Sequence, residues 1–302
     1  MAANEFIESL KSQGKLLHSV DPGYRPRLKV NGKAFGRDFV VIAGPCSVET
    51  KRQIVDYAKK LRDAGADLLR GGAYKPCTFP IKTKQAYGWR EGLGERGLEL
   101  LAEAREASGL KVITEVLDVR HLPLVCRHTD FLQIGMRNFQ NYGLLDAVGR
   151  QGKPVLLKRG SWGTIDEILG VCERVMHGGN RDLVVCLRGV VGMPSYRHVF
   201  PSVRWAPDLM MIPALKRLTR IPVFFDPSHS TGYAPFVPAM SLAATAAGAD
   251  GLMIESHPRP SRSISDAVQT VDLATTRAVI RSCRELRRLL GRANDTSSRN
   301  AA

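Results

Sequence analysis

The sequence predicts an α/β protein, a (β/α)8 TIM barrel with a short N-terminal hairpin extension. Eight short apolar runs recur along the chain, and helix-like amphipathic stretches separate them. The apolar residues within each run are continuous rather than alternating, which is typical of strands buried on both faces of a parallel sheet. Eight strand–helix units in about 255 residues match the length of a closed barrel.

Each of the eight predicted strands is bounded by turn residues. In chain order the runs are FVVIAG (39–44), DLLRGG (67–72), KVITE (111–115), DFLQIG (130–135), PVLLKRG (154–160), DLVVCLRG (182–189), PVFFDPSH (222–229) and GLMIESHP (251–258). A doubly wound open sheet is the alternative. The barrel is favoured because no GxGxxG pattern follows the first strand, and because unusual polar residues follow every strand rather than one switch point.

The stretches between the runs carry helix signals. Thr164 and Glu167 predict a capping box at the start of a helix whose apolar stripe ends before Gly178. The tetrapeptide AGAD occurs twice, at 64–67 and 247–250, each time between a helical stretch and a strand. We therefore expect the same helix-to-strand turn at both places.

The chain is expected to form one catalytic barrel flanked by two short segments. Residues 1–36 form an N-terminal extension, in which the Asn31–Gly32 turn predicts a hairpin over the bottom of the barrel. The barrel itself spans 37–291, and the polar segment 292–302 is predicted to be a disordered tail. The sequence indicates no second catalytic or regulatory domain.

The charge balance favours anionic partners. The 302 residues include 44 Lys and Arg against 29 Asp and Glu, a formal net charge of +15. Either nucleic acid or small phosphates and carboxylates would satisfy this excess. The arginine-rich segment 281–292 is expected to be a solvated helix face, with contact to a polyanion as the alternative.

The sequence also predicts the compartment of the protein. No apolar stretch approaches the roughly 20 residues that span a membrane, and the polar N-terminus carries no apolar signal core. The six cysteines are scattered without CxxC pairs, which indicates reduced thiols rather than disulfides. We expect a cytoplasmic protein that does not contact a membrane.

A metal site is predicted where the barrel closes. The last strand of a closed barrel pairs with the first, so the carboxyl ends of strands 7, 8 and 1 are neighbours. These three ends carry His229, Glu255 and Cys46, and Asp266 follows shortly after Glu255. Imidazole, thiolate and carboxylates together suit one divalent ion such as Mn, Fe, Co or Zn. Taken singly, these residues could equally be a core thiol or helix caps.

Cations follow the strands on the opposite arc of the barrel. An unpaired buried charge is very costly, so these side chains serve either salt bridges to acids such as Glu115 or a pocket for a multiply charged anion. The pocket is favoured because the cations outnumber the acids, and a metal beside it indicates Lewis-acid activation of a carbonyl near a bound phosphate ester. The cations are Arg70 with Lys75, Arg137, Lys158 with Arg159, and Arg188.

Several motifs together resemble the class I 3-deoxy-7-phosphoheptulonate (DAHP) synthases, which share a barrel superfamily with the 3-deoxy-8-phosphooctulonate synthases. They are AGPCSVE, RGGAYKP, LQIGMRN, KPVLLKRG, CLRG, DPSHSTG and ESHP followed by SD, within about 37–290. The resemblance implies a metal-dependent, aldol-type condensation of phosphoenolpyruvate (PEP) with an aldose phosphate, with cleavage of the PEP C–O bond. Erythrose 4-phosphate is the simplest acceptor; it would give DAHP and inorganic phosphate, the first step of the shikimate pathway to aromatic amino acids.

The resemblance also implies roles for individual residues. It assigns Cys46, His229, Glu255 and Asp266 to the metal, the four residues that the strand ends already indicate. Lys75 would donate a proton to the aldehyde oxygen, and Asp226 would contact the aldose; both would be catalytic, together with Cys46 and His229. The substrate-binding set comprises Arg70, Lys75, Thr78, Gln133, Arg137, Lys158, Arg188 and Asp226.

The sequence departs from the family where the acceptor should bind. The family's KPRTS motif has Cys77 in place of its arginine, and a thiol cannot grip a phosphate. Lys82, Lys84, Arg90 or Arg204 could compensate, or the acceptor could be a different aldose in a specialised pathway. A strict octulonate synthase is less favoured, and a non-catalytic polyanion-binding barrel is the alternative from another class. We expect a homo-oligomer that does not bind nucleic acid.

Overall fold

Eight parallel strands close into a barrel in the computed structural model, which describes residues 3–75, 92–192 and 196–299. The last strand pairs with the first in register from Gly251 opposite Val40 to Glu255 opposite Gly44. This closure confirms the predicted barrel and excludes the open sheet.

Every predicted strand segment contains one observed strand. The barrel strands are β3 (Val40–Gly44), β4 (Leu68–Arg70), β5 (Lys111–Glu115), β6 (Phe131–Ile134), β7 (Val155–Lys158), β8 (Leu183–Leu187), β9 (Val223–Phe225) and β10 (Gly251–Glu255), preceded by the antiparallel hairpin β1 (Lys29–Val30) and β2 (Lys33–Ala34). Their apolar side chains alternate between the barrel interior and the surrounding helices, so both faces of each strand are buried.

Helices surround the barrel and shield its outer face. They are α1 (Ala3–Ser12), α2 (Lys51–Asp63), α3 (Glu95–Ser108), α4 (Leu122–His128), α5 (Tyr142–Gly149), α6 (Ile165–His177), α7 (Met211–Leu218), α8 (Pro227–Thr231), α9 (Val237–Ala246) and α10 (Leu273–Arg299). The capping box at the start of α6 forms as predicted, with Thr164 and Glu167 each bonding the other's backbone N–H. None of the described helices is long and apolar enough to cross a membrane.

The hairpin closes the bottom of the barrel, as the sequence predicts. Its turn places Asn31 and Gly32 at positive φ, 47° and 79°. Phe35, just after β2, is buried against the barrel interior and stacks on Phe131 and Phe224 at ring-centroid distances of 5.7 and 5.5 Å. The hairpin therefore supplies the lowest layer of the interior core.

The two AGAD segments form the same turn, with their glycines at φ of 99° and 98°. The aspartate that ends each segment accepts a backbone N–H from a neighbouring strand. Asp67 accepts from Val41 at 2.8 Å, and Asp250 accepts from Val223 at 2.9 Å. The repeated tetrapeptide therefore fixes the amino ends of β3 and β9, which explains its recurrence at the barrel bottom.

Both ends of the described chain are helical. The helix α1 was not predicted, since its sequence is mostly polar. At the other end, the backbone is helical from Leu273 to Arg299. The tail from 292 and the domain boundaries at 36 and 291 stay predictions.

Candidate functional site

The four predicted metal ligands converge at the carboxyl end of the barrel. One side-chain donor atom from each of Cys46, His229, Glu255 and Asp266 lies within 4.8 Å of the other three. The Cys46 thiol donates to Asp266 Oδ2 at 3.2 Å, and His229 Nε2 lies 3.3 Å from Glu255 Oε2. The mixed sulfur, nitrogen and oxygen donors suit a divalent transition ion or zinc.

The approach of Cys46 depends on Gly44, the last residue of β3. Its φ is +150°, and a Cβ there would lie 2.2 Å from the carbonyl oxygen of Arg70 on the adjacent strand. Only glycine allows the two strand ends to come this close. The chain then places the buried Cys46 beside the end of β10, where Glu255 lies.

His229 is oriented by Asp226, which is fully buried at the start of α8. Asp226 Oδ1 accepts the backbone N–H of His229 at 2.9 Å as a helix cap, and Oδ2 accepts from its ring Nδ1 at 2.8 Å. The ring therefore turns Nε2 toward the other three ligands, the arrangement found where a carboxylate supports a metal-binding histidine. Burial lowers the pKa of His229 to about 4, so the imidazole is neutral and able to ligate near pH 7.

Asp226 also forms an ion pair with the buried Lys158 of β7. Burial alone would raise the pKa of Asp226, but His229 and Lys158 hold it well below the usual range. The resemblance assigns Asp226 to the aldose, and that contact stays a prediction. In the structure its two oxygens already serve His229 and Lys158, a positioning role that the Asp226–His229 spacing could have indicated.

Glu255 carries an unsatisfied oxygen in the middle of the site. Its Oε2 accepts from Gln269 Nε2 at 2.6 Å, and its backbone N–H donates to Ser228 Oγ at 2.9 Å. Its Oε1 is buried without a hydrogen-bond partner among the residues that the structure describes. An unpaired buried carboxylate oxygen is costly, so a cation among the four donors fits this site. No pattern in the sequence indicates these roles of Gln269 and Ser228.

Lys75 contacts the site from the loop after β4. Its Nζ donates to Cys46 Sγ at 2.8 Å. Burial raises the pKa of Cys46 to about 12, and nearby Glu255 adds to this. Burial would lower the pKa of Lys75, but Cys46 and Glu115 raise it above its ordinary value, so the side chain is an ammonium ion that can donate a proton.

Arg204 holds the fourth ligand in place. Its Nη2 donates to Asp266 Oδ1 at 2.6 Å, which leaves Oδ2 facing Cys46. The backbone of Asp266 has φ of 55°, unusual for a residue other than glycine. Burial would raise the pKa of Asp266, but His229 and Arg204 lower it, so the carboxylate stays ionised.

Buried cations lie beside the four ligands. Arg70 Nη1 is 3.8 Å from Glu255 Oε2 and has no hydrogen-bond partner in the described part of the chain. Arg188 donates to the carbonyl of His229 at 3.1 Å, while its buried Nε also lacks a partner among those residues. Burial lowers the pKa of Arg188. Guanidinium N–H groups that lack hydrogen-bond partners, next to the four predicted metal ligands, form a pocket that suits an anion.

Comparison with known proteins decides the family. Residues 28–290 match the family described as the DAHP synthetase I family. The chain belongs to the DAHP synthetase I family. It is 40% identical over 253 residues to phospho-2-dehydro-3-deoxyheptonate aldolase from Thermotoga maritima, covering 84% of this chain and 71% of that protein. It is 31% identical over 270 residues to 2-dehydro-3-deoxyphosphooctonate aldolase from Nitrobacter winogradskyi, covering 85% and 91%.

Solved structures agree with this assignment. The crystal structure of the Thermotoga maritima DAHP synthase matches with a TM-score of 0.77 and 36% identity, over 93% of this chain and 76% of that chain. A truncated form of the same synthase matches with a TM-score of 0.80 and 36% identity, over 90% and 96%. This DAHP synthetase I family member is therefore an enzyme, an aldolase-type transferase, rather than a non-catalytic barrel.

The remaining predicted residues of this family member lie in different surroundings. Gln133 is buried at the end of β6 and donates to Glu115 Oε2 at 3.3 Å. Arg137 is exposed in the turn Met136–Asn138. Arg159 is paired with Asp208 at 2.7 Å, so for this cation the salt-bridge interpretation holds.

Several predicted acceptor-binding residues fall between the described ranges of the chain. Thr78 and Cys77 lie outside the described residues, as do the three cations proposed to compensate for Cys77, namely Lys82, Lys84 and Arg90. The fourth candidate, Arg204, lies within the described residues, where it contacts Asp266.

Proposed function

We propose that this enzyme condenses PEP with erythrose 4-phosphate in a metal-dependent reaction that consumes one water molecule, breaks the C–O bond of PEP and gives DAHP and inorganic phosphate. The observation that carries the proposal is the position of the four converging donors beside buried cations with unpaired N–H groups. The name of the Thermotoga maritima relative and the family match support this chemistry.

One divalent ion, Mn, Fe, Co or Zn, would be held by Cys46, His229, Glu255 and Asp266. When bound, it would polarise the carbonyl of the acceptor as a Lewis acid. The unpaired Oε1 of Glu255 supports this assignment, because a cation would satisfy it. Asp226 would keep the His229 ring in the ligating orientation through its 2.8 Å bond to Nδ1.

PEP would bind through the cations around this site. Arg70, Lys158 and Arg188 are buried at the carboxyl ends of adjacent or nearby strands. The guanidinium forks of the two arginines match phosphate and carboxylate oxygens, and the Lys158 ammonium ion adds positive charge, so these three side chains would orient PEP with its C3 toward the acceptor. Arg137 and Gln133 would complete the pocket.

Lys75 would supply the proton that the condensation needs. Formation of the new carbon–carbon bond leaves negative charge on the former aldehyde oxygen, which must be protonated. The raised pKa of Lys75 keeps it in the ammonium form, and its Nζ lies 2.8 Å from Cys46 Sγ, beside the ligand cluster.

A different aldose phosphate is the second candidate acceptor. Arg204, which could have replaced the missing arginine at Cys77, donates instead to Asp266. The relative from Nitrobacter winogradskyi is named as an octonate aldolase, so arabinose 5-phosphate is the first alternative to test. We predict that Cys77→Arg changes the ranking among aldose phosphates far more than the affinity for PEP, since only the acceptor loop changes. Initial rates with erythrose, arabinose and ribose phosphates measure this.

The deciding experiment is phosphate release from PEP with each of these three aldose phosphates, before and after chelation and with single metals restored. We expect the highest kcat/KM with erythrose 4-phosphate and no turnover after chelation. Full activity after exhaustive chelation would refute the metal assignment. Preference for arabinose 5-phosphate would make the enzyme an octulonate synthase.

A further inference from the structure

A basic groove lies at the opposite end of the molecule, between the N-terminal hairpin and the last helix. Its volume is about 570 Å³, within the range of small-molecule sites. Five of the residues that line it are cations and one is an acid. The lining residues are Lys33, Arg37, Asp38 and Phe39 from the hairpin side, and Arg284, Arg287, Arg288, Leu290 and Gly291 from α10.

The carboxylate beneath the groove on the hairpin side is fully occupied. Asp67 accepts from Lys33 at 2.5 Å through Oδ1, and from the Val41 N–H and Arg284 Nη2 through Oδ2, at 2.8 and 3.0 Å. Arg284 Nη2 also donates to the carbonyl of Gly65 at 2.7 Å, but its Nε is buried without a partner among the described residues.

The second carboxylate is occupied as well. Asp250 accepts from Lys216 Nζ at 2.5 Å and from the Val223 N–H at 2.9 Å. Arg287 lies 3.9 Å from the same oxygen that Lys216 contacts, too far for a hydrogen bond. Arg288 is exposed and forms neither an ion pair nor a hydrogen bond with any residue that the structure describes. The groove thus keeps guanidinium donors that the fold does not use.

We propose that this groove binds a small dianionic phosphate compound. Its five cations, together with the Lys216 that contacts Asp250, face only three carboxylates, Asp38 and the two buried ones beneath, so a multiply charged anion would balance the local charge. The paired arginines of α10 offer the fork geometry that matches phosphate oxygens, and Phe39 and Leu290 form an apolar wall for the rest of the ligand. None of the lining residues belongs to the site at the carboxyl end, so this proposal does not depend on the proposed function.

Inorganic pyrophosphate is the probe, titrated into the full chain by calorimetry at low ionic strength. Because the catalytic pocket could also take this anion, the titration is repeated with Arg188→Gln, in which that pocket is weakened. The test variant combines Arg287→Gln with Arg288→Gln. Arg281→Gln is the matched control, since Arg281 is exposed on the same helix and does not line the groove.

We expect binding that persists in Arg188→Gln and Arg281→Gln and weakens at least about tenfold in the double variant, because two charge-assisted contacts are lost. Pyrophosphate should also raise the melting temperature of Arg188→Gln but not that of the triple variant, since a ligand that binds only the native state stabilises it. Equal binding by the double variant and Arg281→Gln overturns the proposal. So does tight, salt-dependent binding of a short DNA duplex with no effect of pyrophosphate.

Discussion

The two ends of the barrel use their buried carboxylates in opposite ways. At the amino end of the strands, Asp67 and Asp250 each accept a strand N–H and a lysine, and every oxygen of these two buried carboxylates has a partner. At the carboxyl end, the buried Arg70 Nη1, Arg188 Nε and Glu255 Oε1 have none among the described residues. The first arrangement stabilises the fold, whereas the second costs stability and leaves donors and acceptors for ligands.

This difference distinguishes structural charges from functional ones within a single chain. Both ends contain buried ionised groups, so burial and charge alone do not identify the active site. The informative property is whether the hydrogen-bonding capacity of those groups is used up inside the protein. The comparison therefore predicts that substitutions of the unpaired groups at the carboxyl end mainly reduce activity, and that substitutions of the two buried carboxylates at the amino end mainly reduce stability.

The largest expected effect is from Cys46→Ala at the carboxyl end. Loss of a proposed metal ligand should remove several kcal/mol of transition-state stabilisation, about a thousandfold or more in kcat/KM. The melting temperature measured with chelator present should change by only a few degrees.

Cys172→Ala is the control, because Cys172 is an equally buried thiol in the core face of α6. That variant should lose about 1–2 kcal/mol of stability and keep its turnover. Comparable turnover in the two variants would contradict the comparison.

The next effect is on PEP binding by Arg188→Gln. Removing a buried cation that we propose to contact the anion should weaken PEP binding by about 2–5 kcal/mol. Arg137→Gln is the paired variant: the same type of side chain lies exposed after β6, and we expect a loss below about 1 kcal/mol. Calorimetric titration with PEP measures both. If the two losses are equal, unpaired buried donors do not mark the PEP pocket.

At the amino end, Asp67→Ala should reduce stability and leave activity intact. The substitution leaves the buried N–H of Val41 without an acceptor and removes the ion-pair partner of Lys33 and Arg284. We expect the free energy of unfolding to fall by about 2–4 kcal/mol. Asp63→Ala is the control, because Asp63 is exposed and, within the described ranges, forms an ion pair with its neighbour Arg62 alone. Urea unfolding followed by circular dichroism should show a lower midpoint for the first variant alone. A fall in kcat/KM with unchanged stability would reverse the assignment of the two ends.

The smallest of these effects is on metal affinity in Arg204→Gln. Without the 2.6 Å bond to Oδ1, Asp266 is held less firmly, and metal affinity should fall about 10- to 100-fold. Competition with a chromogenic chelator measures this without any turnover. Arg204→Lys should recover part of the affinity. The alternative, that Arg204 grips the acceptor phosphate, requires a higher KM for the aldose with metal affinity unchanged.

Much of the fold was predictable because its signals are local. The eight apolar runs correspond to the eight strands, and the capping box of Thr164 and Glu167 forms at the start of α6. The order of strand ends around a closed barrel also placed the four donors together, as the structure has them. The helix α1 was missed because its sequence is polar, and it owes its place to packing against α7.

The partners of the site residues were less predictable. Asp226 is fully buried and holds His229 and Lys158, and these two contacts were not predicted. Gln269 contacts Glu255, which no sequence pattern indicated. Such contacts depend on side-chain directions at loop ends, and these directions follow from packing rather than from the period of hydrophobic residues.

The sequence by itself determined the barrel, the N-terminal hairpin that closes its bottom and the residue types at each strand end. Hydrophobic period, turn chemistry and capping suffice for this because they act between residues close in the chain. Only the tertiary structure decided which charges are neutralised. Arg204 and Asp266 are 62 residues apart, and Cys46 and Asp266 are 220 apart. Closure of the barrel brings these groups within hydrogen-bond distance, and the carbonyls, carboxylates and N–H groups that closure places nearby determine which of them stay unpaired.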